Sequence, residues 1–330
     1  MLLLGIETSC DETAAAVVCG WRVLSNVLHT QAVHEEFGGV VPEIASREHL
    51  RLLPGIVRDA LSAAGVTVAD LDGIVFTRGP GLAGPLLVGA AFARALALES
   101  GLPLWGANHL EGHLAAVRLS HPDLRPPFLC LTVSGGHTEL TEVAPDGSFL
   151  ALGATRDDAA GEAFDKCGKI LGLGYPAGPA LSAEAASGNP KAFPFPIGLR
   201  GEGLDFSFSG LKTAVSRQVK ASGEMGSQVR ADLCASLQEA IVEALVLKSV
   251  RALRERGLPG VAVCGGVSAN ARLRERMALA ADGIGAWCRF PEPALCTDNA
   301  AMIAGAALWR MERGEIGPLS TEVDPGLALG

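Results

Sequence analysis

Apolar positions in the first thirty residues come in short runs broken by a polar tip. Residues 2–6 and 14–19 read as two strands joined through Thr8-Ser9-Cys10-Asp11-Glu12, and residues 21–28 as a third, which together make a β-meander. Helical spacing follows at 42–61 and 82–98, with short apolar strands at 73–76 and 103–105. The pattern then restarts. Strands at 127–133 and 139–143 flank Ser134-Gly135-Gly136-His137-Thr138, helices follow at 159–171, 179–186 and 230–256, and a buried strand at 261–263 runs into Gly265-Gly266-Val267-Ser268-Ala269-Asn270. Two openings of one design predict an internally duplicated α/β chain of two lobes with a cleft between them.

Composition narrows the class. With 330 residues, 48% of them apolar and 19% charged, the chain has enough apolar surface for one large or two medium domains. Residues 1–6 are apolar but too short to span a bilayer, and Glu7, Asp11 and Glu12 rule out a signal sequence. The longest apolar run, 82–98, is interrupted by Gly84, Pro85, Gly89 and Arg94 and reads as a buried core helix, so no membrane is expected. Eight cysteines without Cys-x2-Cys spacing predict free thiols in a reducing cytoplasm. A net charge of −9 argues against binding nucleic acid through bulk charge, and the arginines at 251–256 and 272–276 read as solvated helix faces with internal ion pairs.

The candidate chemistry starts at His109-Leu110-Glu111-Gly112-His113. On a helix this spacing stacks two imidazoles one turn apart, as a divalent metal requires, and Asp298 in Cys296-Thr297-Asp298-Asn299 is the candidate third ligand, at an N-cap-like position before an apolar helical run. Two satisfied core histidines are the plain alternative. A zinc protease needs His-Glu-x-x-His; here Leu110 takes the glutamate's place and Glu111 points about 100 degrees further round. The glycine turns at 134–138 and 265–266 can cradle a phosphate with bare backbone N–H groups, or be ordinary turns. Asp157 or Asp158 reads as a helix cap, whereas Asp165 lies deeper in its helix and can accept hydrogen bonds from a ribose.

Five ordered motifs together resemble one family. Gly5-Ile6-Glu7-Thr8-Ser9-Cys10-Asp11-Glu12-Thr13, Asn108-His109-Leu110-Glu111-Gly112-His113, Val133-Ser134-Gly135-Gly136-His137-Thr138, Phe206-Ser207-Phe208-Ser209-Gly210-Leu211-Lys212-Thr213 and Cys296-Thr297-Asp298-Asn299-Ala300-Ala301 are similar to those of the tRNA N6-adenosine threonylcarbamoyltransferases, formerly called glycoproteases. The resemblance runs nearly end to end. It implies an actin-like ATPase (ASKHA) fold, with two ribonuclease-H-like lobes around a nucleotide cleft. The expected N-terminal lobe is 1–107 plus about 300–318, the C-terminal lobe 108–299, and 319–330 a tail.

By the same resemblance, His109, His113 and Asp298 hold iron or zinc, and Thr132, Val133, Ser134, Gly135, Gly136, Asp165, Gly178 and Asn270 hold the nucleotide part of threonylcarbamoyl-AMP. Two positions depart from the family pattern: Ala177, where a second glycine is common, and Ser268, where alanine is common. The implied reaction moves the threonylcarbamoyl group to N6 of the adenosine 3′ of the anticodon, in tRNAs that read codons starting with A. Asp11 or Glu12 is the candidate to orient or deprotonate the attacking amine. The implied bacterial partners are tRNA, a shorter actin-like paralogue (TsaB-like) and a small ATPase (TsaE-like), with the 42–61 helix a candidate interface. The rival readings are a metalloprotease and a non-catalytic actin-like ATPase module.

Overall fold

Strand β1 (Leu2–Glu7) is buried on both faces, which explains why its sequence lacks polar alternation. It pairs antiparallel with β2 (Glu12–Cys19), from Leu2 opposite Cys19 to Glu7 opposite Ala14. With β3 (Arg22–Thr30), β4 (Gly73–Gly79) and β5 (Leu104–Asn108) it forms a sheet of order β3-β2-β1-β4-β5, in which β4 lies parallel to β1 and β5 parallel to β4. In this computed structural model, which describes residues 1–201, 203–223, 225–315 and 322–329, that sheet belongs to a first unit of Met1–Leu124 and Pro291–Gly330.

Helices α1 (Pro42–Ala64) and α2 (Ala83–Ser100) cover one face of this sheet through Leu53, Val57, Ala60, Ala90 and Ala93, against Leu4, Ile6, Ala15 and Val17. The other face takes α3 (His109–Ser120) and α9 (Ala300–Glu312), against Leu3, Ala14, Ala16 and Val18. The small residues have a steric reason. A Cβ on Gly5 would lie 2.2 Å from the Ala300 carbonyl oxygen, so only glycine lets α9 approach β1 this closely. Helix α2 is less buried than its sequence suggests, with Leu87 53% and Leu98 84% exposed. Among the described residues it alone has the length and hydropathy to cross a membrane, yet a third of it packs inside this unit.

The second unit, Arg125–Phe290, repeats the strand order. Strands β6 (Phe128–Val133), β7 (Thr138–Val143), β8 (Phe149–Ala154), β9 (Gly260–Cys264) and β10 (Trp287–Arg289) run β10-β9-β6-β7-β8, again with one antiparallel arm and one parallel arm. Each sheet thus has the ribonuclease-H-like order implied by the resemblance. Helices α4 (Ala160–Ile170), α5 (Ala177–Ala185), α6 (Ser209–Ser222), α7 (Ser227–Arg256) and α8 (Ala271–Asp282) complete the unit, many of them around the core of Leu129, Leu131, Val133, Phe164 and Leu245. The arginines of α8 pair across to α7, Arg272 with Glu239 at 2.7 Å and Arg276 with Glu243 at 2.5 Å, rather than only within their own helix.

The units divide at Leu124/Arg125 and Phe290/Pro291, so α3 and residues 291–299 pack with the first unit and not with a lobe of 108–299. Their packing gives the reason: Gly112 on α3 sits against Met302 and Ile303 of α9, and Gly305 on α9 against Ala115 and Leu119. Of the expected tail, 319–321 and 330 lie outside the described residues. Residues 322–329 join the first unit: Arg78 O accepts from Asp324 N at 2.9 Å, and Asn108 Nδ2 donates to Ala328 O at 2.7 Å.

Candidate metal centre and glycine turns

Asn108 ends β5 and caps α3, its side chain accepting from Leu110 N at 2.8 Å, so the helix begins at His109 and brings His113 round one turn later. The two rings meet edge to face, with centroids 4.7 Å apart. Asp298 reaches both: its Oδ1 is 3.4 Å from His109 Nε2 and 3.2 Å from His113 Nε2. One ligand atom from each residue lies within 4.8 Å of the others. The cap of α9 is the next residue, Asn299, whose side chain accepts from Met302 N at 3.0 Å. Asp298 is therefore not a cap, as the sequence suggested, because Asn299 takes that duty and leaves the Asp298 carboxylate to project toward the imidazoles.

Glu7, fully buried at the end of β1, sits 3.0 Å from His109 Nδ1 and accepts from Thr77 Oγ1 at 2.7 Å and from Ser9 N. A carboxylate on Nδ1 leaves Nε2 as the free face of the ring, toward Asp298, an arrangement common around metal-bound histidines. His113 differs. Its Nδ1 is buried without a hydrogen-bond partner, and its Nε2 has only Asp298 Oδ1 at 3.2 Å, off the geometry of a hydrogen bond, in a side chain 1% exposed. Unsatisfied buried imidazole costs stability unless something else takes the lone pair, and two imidazoles with one carboxylate suit a transition ion better than magnesium or calcium.

Charge follows the same geometry. Burial opposes a charge on His109, but Asp298 and Glu7 outweigh it and raise its pKa well above the ordinary 6.5. Burial pushes Asp298 up, yet the His109 and His113 imidazoles hold it well below the usual carboxylate range. Glu111, by contrast, is bound to Arg310 of α9 by two bonds, 2.7 and 2.5 Å, and faces away from the ligand group.

The turn between β1 and β2 brings acids to the same unit. Burial, then the nearby Asp298 and Asp11, raise the Glu12 carboxyl well above its ordinary value. The turn's backbone is held by the fully buried His49 of α1, which the sequence reading did not single out. Glu7 was also missed as a functional residue; its only sequence signal is an acid ending an otherwise apolar strand.

In the second unit, Gly135, Gly136, Gly178 and Gly266 each face open space where a Cβ would stand, as a backbone cradle requires. The other expected nucleotide residues are more committed. Val133 lies in the core, and Thr132 is buried with its hydroxyl 3.5 Å from the Cys264 sulfur, so these two have only backbone to offer. Ser134 Oγ accepts from His137 N at 3.1 Å. Asn270 caps α8 by accepting from Leu273 N and gives its Nδ2 to Ser182 Oγ at 2.7 Å and Gln238 Oε1 at 2.9 Å. Asp165 proves to be a cap after all, of another helix: its Oδ1 accepts from Ala177 N at 2.8 Å and Gly178 N at 3.2 Å at the start of α5. Asp157 and Asp158 do not cap α4. Asp157 instead accepts from Ser207 Oγ, Phe208 N and Ser209 at the start of α6, and Asp158 pairs with Lys166 at 2.7 Å.

The chain as a whole is similar to proteins of one family. The family model for the tRNA N6-adenosine threonylcarbamoyltransferases (TsaD) matches residues 22–305. The tRNA N6-adenosine threonylcarbamoyltransferase of Bordetella bronchiseptica is 52% identical over 321 residues, covering 95% of this chain and 93% of its own. That of Symbiobacterium thermophilum is 50% identical over 331 residues, covering 100% of this chain and 97% of its own. Among solved structures, T. kodakarensis HypF superposes with a TM-score of 0.63 at 16% identity, over 97% of this chain and 48% of HypF. Component A of the Acidaminococcus fermentans (R)-2-hydroxyglutaryl-CoA dehydratase gives 0.57 at 15%, over 95% of this chain and 99% of its own. At such identities the likeness is one of fold, the actin-like ATPase fold.

Proposed function

The chain belongs to the tRNA N6-adenosine threonylcarbamoyltransferases, and from that premise we propose that it moves the threonylcarbamoyl group of threonylcarbamoyl-AMP to N6 of the adenosine 3′ of the anticodon in tRNAs reading A-starting codons. The observation that carries the metal-dependent form of this reading is the convergence of His109, His113 and Asp298 within 4.8 Å, with His113 Nδ1 bare and its Nε2 facing Asp298 off hydrogen-bond geometry. An iron or zinc ion bound there would supply Lewis acidity toward the phosphate and carbamoyl oxygens.

The chain's own residues do the rest. Glu7 fixes the His109 ring so that Nε2 faces inward, and Asn299, by capping α9, frees Asp298. In the transfer, the N6 lone pair bonds to the carbamoyl carbon, the bond from that carbon to the phosphate oxygen breaks, and AMP leaves with the electron pair. N6 then gives up a proton. Asp11 or Glu12 takes it in this reading. The raised Glu12 carboxyl is a stronger base than an ordinary glutamate once ionised. Gly135, Gly136 and Gly266 offer bare backbone for the adenylate, and Gly178 a face without a Cβ, its own N–H held with that of Ala177 by Asp165 at the first turn of α5. Thr132, Val133, Ser134 and Asn270 contribute as backbone and scaffold.

A metalloprotease reading has less support, since Glu111 is engaged by Arg310 and Leu110 replaces the protease glutamate. For partners, a TsaB-like paralogue and a TsaE-like ATPase follow from the family. The apolar groove lined by Leu50, Leu53, Pro54, Leu87, Val88 and Phe92 on α1 and α2, with Leu50 and Leu87 exposed, supports pairing through this unit. With eight free thiols and no need of a membrane, the reading is a cytoplasmic enzyme. Mass analysis of nucleosides from tRNA incubated with the chain, threonylcarbamoyl-AMP and these partners tests it. Unmodified adenosine under all conditions, with metal bound, would overturn it.

A further inference from the structure

The turn from Ser9 to Asp11 presents three carbonyls, and each is held. Leu82 N donates to Ser9 O at 2.8 Å and Gln31 N to Asp11 O at 3.1 Å, both main-chain bonds. The middle carbonyl, of Cys10, is held by a side chain, the imidazole of His49 at 2.9 Å from Nε2. A carbonyl can only accept, so Nε2 carries the proton and Nδ1 must accept. Thr13 Oγ1, 2.8 Å from Nδ1, is then the donor.

The same reasoning runs on without a break. Thr13 Oγ1, having given its proton to His49, accepts from Gln31 Nε2 at 3.4 Å. Gln31 Oε1 accepts from His34 Nε2 at 3.0 Å, and His34 Nδ1 accepts from Val41 N at 3.4 Å. Thr13, Gln31, His34 and His49 are all buried, so water does not compete for these bonds. Every donor in the chain has one assignment compatible with its neighbours. Burial also keeps His49 neutral by lowering its pKa, in keeping with an acceptor at Nδ1.

We propose that His49 is a positioning residue for transfer: as the neutral Nε2–H tautomer it holds the Cys10 carbonyl, and so aims the Asp11–Glu12 turn at the reacting amine. The inference rests on the reading that this turn takes the N6 proton. It adds a residue from α1, which carries none of the three candidate ligands, and it separates aim from binding. Losing the bond misdirects the acids without removing them, so kcat falls while the KM for the adenylate and the metal content stay.

The test measures threonylcarbamoyladenosine formation with the full chain and its partners for His49→Leu, His49→Gln, Asp11→Asn and Glu12→Gln. His49→Leu is expected to lower kcat about tenfold or more, the scale of one buried hydrogen bond. His49→Gln, whose amide can donate to the same carbonyl, is expected to recover most of that rate. Wild-type kcat in His49→Leu overturns the proposal. So does an equal loss in both variants accompanied by lost metal or a raised KM, which marks a general structural role. Should His49→Leu fail to fold, 15N NMR of the wild-type ring decides: an Nδ1–H tautomer near neutral pH overturns the assignment. If Asp11→Asn and Glu12→Gln both transfer at the wild-type rate, the reading of the turn fails by itself, separately from the hydrogen bond.

Discussion

Glu111 and Arg310 are joined by two parallel hydrogen bonds, Oε2 to Nε at 2.7 Å and Oε1 to Nη2 at 2.5 Å. The pair ties the helix that carries His109 and His113 to the helix that starts just after Asp298, so the three candidate ligand positions share one brace. Truncating one partner strands the other. Glu111→Ala is expected to destabilise the chain by about 2–4 kcal/mol, toward the lower part of what a buried pair loses because Arg310 keeps some solvent. Denaturant midpoints read the loss. Pairing it with Arg310→Met is expected to recover much of it, and a double variant no better than Glu111→Ala would refute the brace.

His113 offers a sharper contrast. Its Nδ1 has no hydrogen bond and its Nε2 has only the Asp298 carboxylate at 3.2 Å, so His113→Leu is expected to change the stability of the metal-free chain by no more than about 1 kcal/mol in either direction. The same change is expected to abolish tight metal binding. Metal analysis after dialysis, run beside thermal melting, checks both; full metal occupancy would remove His113 from the ligand set. Asp298→Ala is expected to lose metal likewise, and to release the raised pKa of His109.

The charges set a pH signature for the metal-free chain. His109 has its pKa raised in the folded state, so its contribution is fully present below the ordinary 6.5 and is lost as pH climbs through the raised value. Glu12, also raised, loses its contribution in the same direction, starting from 4.5. Asp298, lowered, contributes above 3.8 and fails only when pH falls through its depressed value. Melting temperature of the chelated protein should therefore decline from mildly acidic toward alkaline pH. Added zinc should flatten or reverse the decline, because the ion replaces the proton on His109 and binds better as that proton leaves. A chelated protein that gains stability between pH 6.5 and 9 would contradict the assignment.

Asp165 separates two duties. As the acceptor for Ala177 N and Gly178 N it caps α5, and Asp165→Ala is expected to cost about 1 kcal/mol of stability. Loss of α5's first turn should also weaken adenylate binding, by roughly 1–3 kcal/mol if the carboxylate touches the ligand as well. Asp165→Asn keeps an acceptor for the cap. Calorimetry on both variants with a non-hydrolysable adenylate tells the cases apart: an Asn variant of full affinity assigns Asp165 to the helix alone.

What could be read in advance follows from the range of each interaction. The His-x3-His spacing is local, so one helical turn sufficed to bring His109 and His113 together. Asp298 was found from the polar start of an apolar helix, although the cap turned out to be Asn299. Glu7, Gln31 and His49 were not legible, because their partners are as much as 102 residues away and a single buried polar residue leaves no periodic trace. The same holds for Asp165 and Asp157, whose capped helices lie 12 and 51 residues further along. Short elements were also missed. Strand β10 has three residues, too few for alternation to register, and α6 is amphipathic only through Leu211 and Val215.

The imidazole of His113, bare at Nδ1 and facing a carboxylate without a true hydrogen bond at Nε2, has a consequence for how much of this protein a cell keeps. A ligand held ready without a hydrogen bond makes the empty fold less secure than the filled one, and an ion that binds only the folded chain adds stability in proportion to the logarithm of its concentration. On the metal-dependent reading proposed above, metal starvation would act twice, first by stopping transfer and then by raising the fraction of unfolded chains open to proteolysis. Abundance of the enzyme would track metal supply even at constant synthesis.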